Sequence, residues 1–147
     1  MMRPLEQLDL VRTSRFRPRY ELREACGTLT GTLIWTGAPG RAEARVGDRT
    51  WSLRPGSCRS RLEAWSDEDD LELHLDHGEI LLAGHPREPM RWQRNVRSAA
   101  TGSISSAHVH ASLRPHRRTA PGFEVTLSGE LPQRELVLLT AAYELLR

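Results

Sequence analysis

The sequence predicts a mainly β fold, a closed or nearly closed antiparallel barrel enclosing a hydrophobic C-terminal α-helix. Three observations predict it. Apolar and polar residues alternate from about residue 15 to residue 128, the period of a half-buried strand. Gly and Pro turn signals interrupt that alternation every 8–12 residues or so, the rhythm of a sandwich or barrel. The final segment abandons the two-residue period and is apolar on every side. With 147 residues and a hydrophobic fraction of 38%, the chain can build one core, so a single domain spanning 1–147 is expected.

The elements follow in order. In Phe16-Arg17-Pro18-Arg19-Tyr20-Glu21-Leu22-Arg23 the even positions are largely apolar and the odd ones charged, which predicts a first strand. Leu29, Gly31, Leu33 and Trp35 share the face of a second, with Thr28, Thr30 and Thr32 opposite. Ala42, Ala44 and Val46 alternate with Arg41, Glu43 and Arg45, then come Trp51 with Leu53 and Leu62 with Ala64. Leu71, Leu73 and Leu75 alternate with Glu72, His74 and Asp76. The run from Ile80 to Ala83 is continuous, as in a strand covered on both faces or a bend between strands. Met90 with Trp92, then Ala107 through Leu113, and finally Phe123, Val125 and Leu127 complete the series. From about 132 to 147 good helix formers follow Pro132, and Leu136 to Leu146 place apolar side chains around the whole circumference. Such a helix has to be surrounded. Its length of roughly 21 Å is short of a bilayer but matches the depth of a small barrel.

Charge excludes little. The formal net charge is +2, divided as +6 over residues 1–61, −8 over 62–90 and +4 over 91–147. All 21 basic residues are arginine, which fits the codon usage of a GC-rich genome. Cys26 and Cys58 form no C-x-x-C pair, so the reading is two free thiols. No apolar run is long enough to span a membrane as a helix, and no secretory signal is visible; a cytoplasmic location is expected.

A series of short antiparallel strands closed by one wholly apolar C-terminal helix resembles the tubby C-terminal-like superfamily. That superfamily includes the LURP-one-related proteins and the phospholipid scramblases. The resemblance rests on the region from Tyr20 to Trp35 with Gly27 and Gly31, on Trp51-Ser52-Leu53, and on the helix from Leu136 to Leu146. It implies about twelve strands wrapped around a central helix. Function would then lie on the outer surface and loops, since the helix leaves no central ligand cavity.

Two surface chemistries are candidates. Arg15, Arg17, Arg19 and Arg23 fall on one strand face with Arg12 nearby, and Arg114, Arg117 and Arg118 with His116 make a second basic loop. Arginine forks bind phosphate and carboxylate bidentately, so Arg15, Arg17, Arg19, Arg117 and Arg118 are the expected anion site. The expectation is a non-enzymatic binding module for an anionic headgroup or a protein partner, without a cofactor; the small net charge argues against nucleic acid. The alternative is a metal-dependent enzyme. His108-Val109-His110 puts two imidazoles on one strand face, and His116 or His85 would supply a third ligand. His74, Asp76 and Glu72 make a weaker acid–base patch, and Ser66-Asp67-Glu68-Asp69-Asp70 lacks the closing Glu of a calcium loop and reads as an exposed turn. Trp65 stands out of phase with Leu62 and Ala64 and is expected at the surface, while Trp35, Trp51 and Trp92 belong to the core or its edge.

Overall fold

Twelve antiparallel strands close into one barrel, and a computed structural model describes residues 5–14, 16–37, 40–58, 61–84, 89–95, 101–116 and 122–147. The strands are β1 (Leu5–Ser14), β2 (Arg19–Glu24), β3 (Leu29–Trp35), β4 (Ala42–Val46), β5 (Arg49–Pro55) and β6 (Arg61–Ser66). They continue as β7 (Leu71–Asp76), β8 (Glu79–Leu82), β9 (Met90–Asn95), β10 (Thr101–Ser105), β11 (His110–Pro115) and β12 (Gly122–Ser128). Each strand pairs with its sequence neighbours, and β1 closes the ring by pairing with both β2 and β12. This up-and-down order needs only hairpins, and closure removes every sheet edge.

The first strand differs from the expectation. Strand pairing begins at Leu5, and residues 16–18 form the turn between β1 and β2. Pro18 has no amide to give a ladder, and Phe16 stands fully exposed at the tip. The basic alternation starting at Phe16 therefore marks a hairpin tip followed by a strand. The strand actually present, β1, buries only Leu8 and Leu10, near its middle, a signal too short to stand out.

Twelve strands enclose more space than their own side chains fill, and α1 (Arg134–Leu146) occupies it. Its residues Leu136 through Tyr143 and Leu145 are all buried, including Thr140, whose hydroxyl donates to the Leu136 carbonyl at 2.7 Å. Among the described residues no helix is long and apolar enough to cross a membrane. The helix packs closest to β3 and β4. At Gly31 in β3, a Cβ would stand 3.1 Å from Leu139 Cδ1, so the missing side chain is what lets the helix lie so near. On the opposite side Trp92 turns inward from β9 and covers Gly102 of β10, where a Cβ would meet the indole at 2.3 Å. The entrance of the helix is tied by Arg134, which pairs with Glu135 at 2.8 Å, with Glu24 at 3.4 Å and with Glu6. Burial opposes the charge on Arg134, but hydrogen bonds and charge from Glu135 and Glu6 prevail and raise its pKa further. Cys26 and Cys58 are exposed and not joined in a disulfide.

Candidate functional site

Because α1 fills the lumen, the chemistry left to this molecule is on its outer walls and loop tips. Two depressions stand out there. They differ in the charge that surrounds their arginines.

The first lies at the β1–β2 tip. Thr13, Ser14, Arg17 and Arg19 from the hairpin face Trp35, Thr36, Glu43 and Arg45 from β3 and β4 across an open cleft of about 780 Å³. Trp35 lines it, and behind the cleft its ring lies 5.6 Å from that of the buried Tyr143 on the central helix and 5.9 Å from that of the buried Tyr20. The Tyr143 hydroxyl donates to the Gly40 carbonyl, joining the helix to the β3–β4 loop. Burial raises the pKa of both phenols, with Arg12 opposing at Tyr20 and Arg147 at Tyr143. Acidic side chains moderate this cleft. Arg19 lies 3.7 Å from Glu21, and Arg45 donates to Glu43 at 2.9 Å. Arg23 is held by Glu21 and by the Gly27 carbonyl, which takes it out of the expected row. Arg17 makes no ion pair among the described residues, and it sits beside the exposed Phe16.

The second depression runs over β10 on the far side of the barrel. The outward side chains of β10 are small (Thr101, Ser103 and Ser105), while β9 and β11 carry longer ones beside them. A trough of about 540 Å³ results, lined by Gln93, Arg94, Asn95, Thr101, Ser103, His110, Ser112 and Arg114. No acidic residue lines it. Glu124 is the cross-strand partner of Arg114, and its carboxylate also lies 3.6 Å from His116 Nδ1. Sequence reading missed this site because Arg94, His110 and Arg114 lie on two strands that are not consecutive. The available signal was the hydroxyl run Thr101-Gly102-Ser103-Ile104-Ser105, whose small outward residues foretell a groove between bulkier neighbours.

The remaining candidates are placed as follows. Arg15, Arg117, Arg118 and His85 lie outside the described residues. His108 is in the β10–β11 turn, His110 begins β11, and His116 follows its end, so the strand separates the last two by roughly 20 Å. His116 sits instead between Asp9 and Glu124, each at 3.6 Å. Among the described residues no three His, Cys, Asp or Glu side chains are grouped to hold a metal. His74 faces outward in β7, whereas Glu72 is engaged by Arg49 at 2.7 Å and by the Trp51 indole at 2.7 Å, and Asp76 by His77 and Arg61. Residues 67–70 form the exposed β6–β7 turn, and Trp65 lies half-buried on the outer face beneath the Arg54 guanidinium.

The barrel has a relative in fold. The X-ray structure of a protein from Arabidopsis thaliana, AT5G01750, aligns with 95% of this chain and 90% of its own, with a TM-score of 0.61 and 14% sequence identity. At that identity the likeness concerns the fold, a closed twelve-strand barrel with a C-terminal helix. No family model and no curated protein sequence matches the chain.

Proposed function

We propose that this chain is a non-enzymatic binding module of the tubby-like kind that docks on anionic lipid headgroups through the β1–β2 tip. The carrying observation is the pairing of chemistries there: a fully exposed Phe16 next to Arg17, with Arg19 at the rim of an open cleft. An aromatic ring at the headgroup level gains from leaving water, while arginines nearby gain about 1 kcal/mol each from an anionic surface. Neither feature serves the fold, because the tip lies beyond the barrel wall. The cytoplasm suits such a module, since the exposed thiols of Cys26 and Cys58 would stay reduced there.

Flotation with vesicles tests this. Vesicles containing phosphatidylserine should carry the protein upward and phosphatidylcholine vesicles should not, with the bound fraction falling steeply at high salt. Phe16→Ser and Arg17→Glu should each abolish most of the binding while leaving the melting curve unchanged. If the protein stays at the bottom with phosphatidylserine vesicles at low salt, the lipid reading is wrong and a protein partner takes its place.

A further inference from the structure

The cleft below the β1–β2 tip carries carboxylates as well as arginines, and the register of three strands fixes where each stands. Arg19 of β2 is opposite Ile34 of β3, which is in turn opposite Glu43 of β4. One row further from the tip, Glu21, Thr32 and Arg45 align in the same way. All six are on the outer face, since Tyr20, Leu33 and Ala44, which alternate with them, belong to the core. The two banks of the cleft therefore differ in charge. On the β2 bank Glu21 is shared between Arg19 and Arg23 and is mostly buried, while Arg17 at the tip has no ion pair among the described residues. That bank keeps a positive surplus. On the β4 bank one pair faces the cleft, Arg45 Nε donating to Glu43 Oε1 at 2.9 Å, and both side chains are partly exposed. That bank is neutral, with its acid nearer the tip and its base one row behind.

We propose that this cleft selects phosphatidylserine by its phosphoserine group, a headgroup choice that rests on the lipid docking proposed above. Arg17 and Arg19 take the phosphate at the bilayer surface, beside the exposed Phe16. Beyond the phosphate, the serine carries an ammonium and a carboxylate on one carbon. Laid along β4, the ammonium meets Glu43 and the carboxylate meets Arg45, so that each charge lies beside its opposite. The pair engages only Nε and Oε1, which leaves Glu43 Oε2 and the terminal Arg45 nitrogens for the ligand. A volume of about 780 Å³ has room for such a headgroup.

Other headgroups satisfy fewer of these groups. A phosphate that carries only hydroxyls leaves Glu43 facing an anion with no cation between them. Ethanolamine and choline supply the cation but bring no anion to Arg45. Only the serine ester matches both banks.

Flotation at matched surface charge tests the choice, with vesicles containing either phosphatidylserine or phosphatidylglycerol. The full-length protein should bind phosphatidylserine about tenfold more tightly. Glu43→Gln makes the cleft more positive, so charge attraction alone predicts tighter binding to both lipids. Recognition predicts the reverse for phosphatidylserine, a loss of about tenfold, with phosphatidylglycerol binding not weakened. In parallel, O-phosphoserine should give saturable amide shifts at residues 19–21 and 43–45 of ¹⁵N-labelled protein, and O-phosphoethanolamine far weaker ones. Equal binding of the two anionic lipids by the parent, or a gain for both in Glu43→Gln, would overturn the serine recognition and leave lipid docking intact. Saturable O-phosphoserine shifts in a protein that floats with neither vesicle would overturn the membrane as its source. Loss of both signals would overturn the docking and the headgroup choice together.

Discussion

The wall from β2 to β7 and the wall from β9 to β11 are made of the same short strands and hairpins, but they divide their labour differently. The first supports the central helix at close range through Gly31 and neutralises most of its arginines with carboxylates. The second meets the helix through β10, covers Gly102 with Trp92, sets Arg114 across from Glu124, and carries Arg94 with no ion pair among the described residues. An unpaired charge costs little at an exposed position, so the fold tolerates it there.

The largest effect expected from breaking this contrast lies inside the near wall. Leu139→Asp puts a carboxylate where Leu139 is wholly buried against Gly31, at a cost of several kcal/mol. The variant should fail to give a cooperative thermal melt by circular dichroism; a native-like melt would mean that the helix is not held there. Tyr143→Phe comes next, removing the hydrogen bond to Gly40 at about 1 kcal/mol. Its pH dependence sharpens the point. Burial raises the folded-state pKa of Tyr143 and of Tyr20, so the stability they contribute is complete below the ordinary phenol value near 10 and is lost as pH rises through the folded value. Chemical denaturation between pH 8 and 11 should show a shallower alkaline decline in Tyr143→Phe than in the parent.

The smallest effect compares the two walls directly. Glu72→Gln removes the charge that holds Arg49 and should lower stability by up to about 1 kcal/mol, less at high salt. Arg94→Ala on the far wall should stay within roughly 0.5 kcal/mol of the parent, because it has no ion pair to lose. Denaturant midpoints for the two variants at low and high salt read the difference. An equal loss in both would mean that Arg94 is part of the fold's own charge network.

Much of this architecture was legible because strand and helix periods are local. The alternation at Ala42–Val46, Leu71–Asp76 and Phe123–Leu127 coincides with β4, β7 and β12, and the apolar circumference of the last segment coincides with a helix buried from Leu136 to Tyr143. Arg17 and Arg19 were legible as exposed basic residues. The cleft they border was not, because Glu43 and Arg45 reach it from a strand that is distant in sequence, while the contact of Arg19 with Glu21 is local to β2. Arg23 left the expected row for the same reason that Glu21 interrupts it: alternate residues of one strand share a face and pair there.

From the sequence alone came the repeated two-residue period, its turns, and a helix that no single surface could satisfy; together these require a barrel wrapped around its own C-terminus. Tertiary structure decided which charges found partners. Ion pairing depends on the register between strands and on which wall stands over a neighbour. Arg49 meets Glu72 and Arg61 meets Asp76 only because β5, β6 and β7 are adjacent in the sheet. Arg114 likewise stands across from Glu124 because β11 and β12 are adjacent, whereas Arg94 lies opposite Gly102 of β10.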